Sequence, residues 1–390
     1  MEIISEIEEK FMNQCRCCGN EITGNPILKY SNMPKAAQFF PDKEEVDKEQ
    51  GTDLSLYQCD TCGLIQLLDD PVPYYRDVIR TAGISEELKV YRKKFFDEFV
   101  DAYQLHGKKI IEIGCGCGEF LSIMETTGVQ AYGLEHLADS VQKCKKDHLQ
   151  VYEGFIETEH TKIENAPYDA FYIMNFLEHI PDPRMFLQGI SNNLSEQAVG
   201  LIEVPNMDMI LEKLMFSEFI SDHLLYFTEQ SLRNLLEISG FEVVSCKRVW
   251  HDYVLSAVVK KRRKINLDGF QRQLNKIKIA VNEFVESDEN GRKTIVWGAG
   301  HQALAILALT EIQDKIAFVV DSAEFKQNKY TPGTHIPIVS PEILCDKKNE
   351  IGKVLVMAAS YSDEVARIIE EKYSYLSIGI LRDDGVELIL

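Results

Sequence analysis

Lys108-Lys-Ile-Ile-Glu112-Ile-Gly114-Cys-Gly116-Cys-Gly118 decides how the middle of this chain folds. Its first six residues, 108–113, have the apolar, β-branched character of a buried strand. Three alternate glycines follow, and residues 119–127 then read as a helix. Glycines at such a point permit a tight turn and let the backbone approach a ligand closely. The alternation continues with a strand over 131–135, a helix over 137–147, a buried strand over 168–174 and a further strand over 200–206. Strands alternating with helices in this way predict a doubly wound α/β domain.

A second pattern of the same kind begins at Lys293-Thr-Ile-Val-Trp297 and turns through Gly298-Ala-Gly300 into a helix. Strands over 316–321 and 353–359 follow, and 266–286 has helical spacing and connects the two patterns. Ahead of the first pattern, 84–106 reads as a charged amphipathic helix with Leu88, Tyr91, Phe95, Phe96 and Phe99 on one face. A chain of 390 residues is too long for one ordinary core. The expected division is 1–75, rich in clustered cysteines, then 76–262 and 263–390, each α/β.

The formal net charge of −20 argues against a nucleic-acid partner, whose phosphates need clustered Lys and Arg. The dense basic run Lys260-Lys-Arg-Arg-Lys264 is expected to be a solvated linker. No apolar stretch reaches the roughly 18–20 residues of a membrane span. The acidic start, Met-Glu-Ile-Ile-Ser-Glu, lacks the basic region of a signal peptide. With that start, ten cysteines imply a cytoplasmic, reducing setting and metal or thiol roles.

Two Cys-x-x-Cys knuckles stand out: Cys15-Arg-Cys-Cys18-Gly19 and Cys59-Asp-Thr-Cys62-Gly63. A glycine after each lets the chain turn so that backbone N–H groups approach the thiolates. Four thiolates suit tetrahedral Zn²⁺ and leave no position open, so a structural site at Cys15, Cys18, Cys59 and Cys62 is expected. Cys17 is a spare that competes with Cys18, but the two-residue spacer favours Cys18.

The glycine loop is Gly-x-Gly-x-Gly, not the dinucleotide Gly-x-Gly-x-x-Gly. Its spacing resembles motif I of class I methyltransferases. That resemblance implies S-adenosylmethionine at Gly114, Gly116 and Gly118, with Glu112 orienting the cofactor's amino-acid part. Glu135, 23 residues after Glu112, ends the second strand, where a carboxylate can accept both ribose hydroxyls. Phe155, in Gly154-Phe-Ile-Glu157, falls where the third strand ends, near the adenine. An NAD-type site shares the architecture and stays open. The fourth strand runs out through Met174-Asn175-Phe-Leu-Glu178-His179-Ile-Pro-Asp-Pro183, with Asn175 beside the cofactor. A Glu178–His179 pair there can serve as base and orienting partner; a packing histidine is the alternative. Asp222 and His223 fall in a loop on the same side of the sheet, before a helix capped by Thr228.

Taken together, these motifs resemble the sugar C-methyltransferases that act on nucleotide-linked deoxysugars. The resemblance covers nearly the whole chain. It rests on both cysteine knuckles, Leu177-Glu-His-Ile-Pro-Asp-Pro183, Glu203-Val-Pro-Asn206 and the tail Tyr330-Thr-Pro-Gly-Thr-His-Ile-Pro-Ile-Val-Ser-Pro341. It implies a Cys₄ zinc domain, a central cofactor domain and a Rossmann-like C-terminal domain that contributes to substrate binding. It also implies removal of a proton beside a sugar keto group and attack of the enolate on the methyl donor. His179 then matches one residue of the base chemistry, and Asp222-His223 matches a Glu-His pair. A His is suited to that proton transfer near neutral pH.

Three departures bear on the acceptor. The family's Asp-Tyr-Val-Tyr stretch is Asp77-Val-Ile-Arg80 here, its Tyr-His-Glu-His is Ile220-Ser-Asp-His223, and its His-Gly-Gly-Ser strand is His251-Asp-Tyr-Val254. Tyr74, Tyr75, Tyr226 and Tyr253 are the tyrosines available to replace those lost. Arg80 suggests a more acidic substrate or a phosphate contact. The expected partner is a small nucleotide sugar, with no nucleic acid and no membrane, for a monomer or homodimer. O- or N-methylation of a related sugar or polysaccharide precursor, and a non-catalytic cofactor-binding role, are the competing readings.

Overall fold

The computed structural model describes residues 13–37, 40–77, 84–287, 291–348 and 350–389. The chain divides into two compact units, Met1–Arg263 and Lys264–Leu390.

The first unit opens with strands β1 (Leu28–Met33), β2 (Thr52–Gln58) and β3 (Ile65–Leu67), an antiparallel meander. Helix α1 (Glu86–Ala102) follows, capped by the Ser85 side chain on Leu88 N, with Glu86 and Glu87 in its first turn. The glycine stretch lies between β4 (Lys109–Ile113) and α2 (Glu119–Glu125). Then come β5 (Gln130–Glu135), α3 (Ala138–Lys146), β6 (Val151–Glu153), β7 (Tyr168–Met174), α4 (Pro183–Ser191), β8 (Leu194–Pro205) and α5 (Met207–Glu212). Strand β9 (Leu225–Tyr226), α6 (Glu229–Ile238), β10 (Phe241–Val249) and β11 (Val254–Lys261) complete the unit. Thr228 caps α6 through a reciprocal bond with Ser231.

These strands make two sheets. The small one has the order β1-β2-β3-β9, so a strand from late in the unit closes the meander. The large one has the order β10-β11-β8-β7-β4-β5-β6, parallel from β8 to β6, with β11 antiparallel to both its neighbours. The chain steps from β4 outward to β5 and β6, then crosses back to β7. Ligands of such sheets bind in the crevice at that reversal, beyond the carboxyl ends of the strands.

One face of the large sheet packs with α1, α2 and α3 through Phe96, Phe99, Phe120, Leu121, Met124 and Val141. The other face packs with α4 and α6, and its core runs on without a break into Cys15, Leu54, Leu56, Cys59 and Leu64. The cysteine-bearing segment therefore shares its core with the α/β sheet. Helix α1 turns a different stripe inward from the one expected. Phe96 and Phe99 are buried, but so are Arg92 and Val100, while Tyr91 and Phe95 are only half-buried. The shift follows from an ion pair: Arg92 Nη1 lies 2.8 Å from Glu203 Oε1, with both side chains almost wholly excluded from solvent.

The basic run is only partly a linker. Lys260 and Lys261 finish β11, and Arg262 donates to the carbonyls of Glu237 and Phe241.

The second unit comprises α7 (Asp268–Glu286), β12 (Lys293–Trp297), α8 (His301–Thr310), β13 (Ile316–Val320), β14 (Lys329–Tyr330), β15 (Pro337–Val339), β16 (Ile351–Val356), α9 (Ser362–Lys372), β17 (Ser377–Arg382) and β18 (Gly385–Ile389). Its sheet order is β14-β15-β13-β12-β16-β17-β18, parallel from β15 to β17 with antiparallel edges. The strand expected over 353–359 ends at Val356, because the chain turns there and Ala359 is left-handed at φ 52°. Gly298 has φ 115°, and a Cβ on it would lie 2.6 Å from Met357 O. Only glycine lets the turns after β12 and β16 come that close. Among the described residues, no helix is long and apolar enough to cross a membrane.

Candidate active site

The glycine loop hangs over the end of β5. Gly114 and Cys115 donate their N–H groups to Leu134 O at 2.9 and 3.2 Å. Gly114, Gly116 and Gly118 are all left-handed, with φ 74°, 56° and 84°, a conformation that costs other residues about 1–2 kcal/mol. Glu135, buried at the end of β5, ties the loop down: its carboxylate accepts from Gly116 N at 2.7 Å and Leu137 N at 2.9 Å. Burial pushes its pKa up, and these N–H bonds oppose the shift. A carboxylate has about four acceptor positions. Two are used by these bonds, so positions remain for a ribose diol. Glu112 is fully buried beneath the loop and accepts from Tyr172 OH at 3.1 Å.

An aromatic cleft lies beside the loop. Phe155 follows β6 and packs with Phe176 and Phe186, at ring-centroid distances of 6.4 and 5.6 Å. Gly114, Leu134 and His136 also line it. Arg76 lies across it, 5.1 Å above the Phe155 ring and paired with Glu157 at 2.8 Å. Neither Arg76 nor Phe186 was singled out from sequence. Both reach the cleft from distant segments, and no local spacing marks them.

A second polar cluster is built where β7 ends. Asn175 is left-handed at φ 49°, and its N–H donates to Glu203 O at 2.9 Å. The turn that follows presents Glu178 and His179. His179 Nδ1 lies 2.8 Å from the backbone carbonyl of Asp222, so Nδ1 carries the proton and Nε2 the lone pair. Nε2 is 3.9 Å from Glu178 Oε1. The His179 and His223 rings meet edge to face at 4.8 Å. Burial raises the Glu178 carboxyl pKa to about 8. It pushes His223 down to about 3, and His179 also falls below its ordinary value. The two imidazoles are thus neutral near pH 7 and offer lone pairs. Such a lone pair can take a proton or a cation.

Asp222 plays a different part in this arrangement from its neighbours. Its carboxylate accepts from Tyr74 OH at 2.8 Å and Ala37 N at 2.9 Å. Tyr74 is thereby the tyrosine brought to the cluster. Tyr226 lies behind it, with its ring 6.2 Å from His223 and its hydroxyl held by Ile220. Tyr75 packs on Phe155, and Tyr253 donates to Glu218 at 2.5 Å. Val78, Ile79 and Arg80 lie outside the described residues.

The stretch at His251 is a turn between β10 and β11, not a strand. Trp250, His251 and Asp252 are all left-handed, with φ 47°, 58° and 64°. Asn206 holds the turn, donating through Nδ2 to Asp252 O at 2.7 Å and through its backbone N–H to Tyr253 O at 2.9 Å. An open cavity of about 450 Å³ lies here, lined by Met209, Lys213, Met215, Trp250, His251 and Tyr253.

The cysteine knuckles are near-copies of each other. Gly19 N donates to Cys15 O at 2.8 Å and Gly63 N to Cys59 O at 2.9 Å, and both glycines are left-handed. The Sγ atoms of Cys15, Cys18, Cys59 and Cys62 all lie within 4.8 Å of one another, with two pairs at 3.5 Å. Tetrahedral zinc with bonds of ~2.3 Å separates its sulfurs by about 3.8 Å, so this set fits a metal. All four are free thiols, and Cys17 stands outside the set.

In the second unit a cavity of about 290 Å³ opens beyond the carboxyl ends of β12 and β16, lined in part by Trp297, Gly298, His301, Lys326 and Tyr361. Asp321, after β13, accepts there from Ala299 N at 2.8 Å, Ala323 N at 2.9 Å and Lys326 Nζ at 2.9 Å.

Family models match a part of each unit. Residues 85–246 match the family model of a methyltransferase domain, and residues 259–376 match that of the C-methyltransferase C-terminal domain. The chain is 23% identical over 403 residues to the C-methyltransferase NovU of Streptomyces niveus, covering 94% of each chain. It is 30% identical over 112 residues to a ubiquinone biosynthesis O-methyltransferase of Glaesserella parasuis, covering 26% of this chain and 47% of the relative. Among solved structures, an S-adenosylmethionine-dependent methyltransferase from Clostridium acetobutylicum covers 45% of this chain and 92% of its own at 12% identity, with a TM-score of 0.38. The plantazolicin methyltransferase BpumL in complex with SAH covers 45% and 86% at 16% identity, with a TM-score of 0.37. With its glycine loop, its sheet order and these two domain matches, the chain is an S-adenosylmethionine-dependent methyltransferase.

Proposed function

We propose that the protein methylates a carbon beside a keto group of a nucleotide-linked deoxysugar. The observation that carries this reading is the convergence at the end of β7. Glu178, His179, His223 and the Tyr74–Asp222 pair meet there, on the same edge of the sheet as the glycine loop. The likeness to NovU along the whole chain supports it.

S-adenosylmethionine, when bound, supplies an electrophilic methyl group. Gly114, Gly116 and Glu135 would hold it by backbone approach and ribose contacts, with Phe155 against the adenine. At the β7 edge a carbon–hydrogen bond beside the keto group breaks. Its proton passes to a basic group there, the histidine cluster or Tyr74–Asp222, and its electron pair enters the enolate. The enolate carbon then forms the new bond to the methyl group, whose bond to sulfur breaks. Well-placed proton acceptors contribute about 10²- to 10⁴-fold to such steps.

The second unit would contribute to substrate binding through its own crevice, where His301 and Lys326 offer positive or hydrogen-bonding groups near a helix N-terminus. Cys15, Cys18, Cys59 and Cys62 would hold a structural zinc that braces the small sheet.

The test is exchange. In D₂O, with a nucleotide 4-keto deoxysugar and no methyl donor, the protein should wash deuterium into the carbon beside the ketone. Methyl transfer to such sugars without any exchange would assign the reaction to oxygen or nitrogen instead.

A further inference from the structure

We infer that Arg76 is a cofactor-binding residue whose guanidinium stacks on the adenine of S-adenosylmethionine, on the face opposite Phe155. The inference rests on placing the adenine against Phe155, and it names what covers that seat from the other side.

The seat is shut in this conformation. The cleft lined by Arg76, Gly114, Leu134, His136, Phe155 and Phe186 encloses only about 10 Å³, room for about one water. A purine held between two flat groups sets them roughly 7 Å apart, twice the ~3.5 Å contact distance. Arg76 Cζ lies 5.1 Å from the centre of the Phe155 ring. One wall must therefore give by about 2 Å. Ile113, Leu134, Phe176 and Phe186 are buried in the core of the unit, and a close-packed core resists such a shift. Arg76 and Glu157 stand on the rim, with side chains 22% and 37% exposed. An ion pair so placed contributes little to stability and moves at little cost. Arg76 is thus the wall that opens.

The second observation concerns the guanidinium itself. Nη1 and Nη2 donate to the two oxygens of Glu157 at 2.8 and 2.9 Å, and Nε donates to Tyr75 OH at 3.1 Å. These bonds use the edge of the group, where its N–H donors point. They fix its plane and leave its two faces, which are weakly hydrated and stack on aromatic rings. One face already lies on Phe155. Glu157 comes two residues after Phe155, so one short segment positions both the ring and the guanidinium.

The backbone beneath Arg76 is anchored. Asp77 N donates to Tyr74 O at 2.9 Å, and Tyr74 OH donates to Asp222 at 2.8 Å. The long side chain supplies the movement while the turn stays in place. Adenine suits the slot that opens. It is flat, uncharged and rich in π electrons, so a ring on one face and a cation on the other complement it.

The test reads affinity and the arginine's own signal. S-adenosylhomocysteine carries the same adenosine, and calorimetry should show it binding folded R76A about tenfold more weakly than wild type. R76K keeps the charge but not the plane, so it should lose most of the same factor. In protein labelled with isotopic arginine, the Nε–Hε resonance that is missing from R76K should move upfield on saturation with S-adenosylhomocysteine, because a purine ring shields a group above its face. Wild-type affinity in folded R76A would overturn the assignment. So would full affinity in R76K, which would reduce Arg76 to a charge partner of Glu157. An Arg76 resonance that does not move on saturation would overturn it whatever the variants do. F155L separates this inference from the reading beneath it. Weakened binding by F155L with R76A unchanged would sink Arg76 and leave the adenine seat standing. Wild-type affinity in both variants would move the adenine elsewhere.

Discussion

His179 Nδ1 donates to the backbone carbonyl of Asp222 at 2.8 Å, and this one bond leaves the Nε2 lone pair 3.9 Å from Glu178. The position of this imidazole is thereby set by a loop that lies 43 residues further along the chain. His179→Asn keeps a polar side chain there but removes the Nε2 lone pair. Methyl transfer should fall by about 10²- to 10⁴-fold, with S-adenosylmethionine affinity unchanged in calorimetry. Turnover equal to wild type would move the role to His223.

Glu135 ties down the glycine loop through Gly116 N and is proposed to meet the ribose of the cofactor. Glu135→Ala removes acceptors for the ribose hydroxyls and the tether of the loop. Hydrogen bonds to charged groups contribute about 1.5–3 kcal/mol each, so Kd for S-adenosylmethionine should rise tenfold or more. A wild-type Kd would refute the ribose assignment.

Arg92 and Glu203 are paired in the core, between α1 and β8. Removing one partner strands a buried charge, at a cost of about 3–5 kcal/mol. Arg92→Met should lower stability by that order in urea denaturation. The double variant Arg92→Met/Glu203→Met should recover much of the loss, because apolar residues can replace a buried pair. A double variant no more stable than the single would show that packing, not charge, dominates.

In the second unit, burial pushes the Asp321 carboxyl up, but Lys326 and the N–H groups of Ala323 and Ala299 outweigh it and hold the pKa below its usual value. A carboxylate held low stabilises the fold above its unfolded pKa, and that contribution disappears as pH falls through the lowered value. Asp321→Asn should therefore be less stable than wild type at pH 7, and the gap should close below about pH 4. Thermal melts across that range read it directly. A gap that does not change with pH would mean the side chain contributes only neutral hydrogen bonds.

The four-cysteine cluster should retain one zinc per chain through dialysis against EDTA, measured by elemental analysis. Cys59→Ser should lose it and destabilise the first unit, since its knuckle shares a core with the large sheet. No zinc in the wild-type protein would remove the metal from the argument.

Local features of the sequence were enough for several elements. The strand–glycine–helix stretch, Thr228 as a cap, the paired knuckles and both α/β patterns are short-range signals, set by backbone conformation and hydrophobic period. Strands β1 and β2 were not legible in this way. They alternate weakly: β1 has no fully buried residue, and β2 buries only Leu54 and Leu56. The inward stripe of α1 was misread for a related reason, since an arginine on it is acceptable only because Glu203 waits 111 residues away.

The sequence by itself determined the strand–glycine–helix turn and the carboxylate beside it, because Glu112 to Gly118 and Glu135 come from two neighbouring β–turn units whose geometry is local. Only the tertiary structure decided the cluster at the end of β7. Tyr74, Glu178, His179, Asp222 and His223 come from three separate segments, and their roles depend on which oxygen each one faces. Hydrogen bonds across such distances follow from the packing of the whole unit, so residue type and spacing could name the candidates but could not assign Tyr74 to Asp222 or His179 to the Asp222 carbonyl.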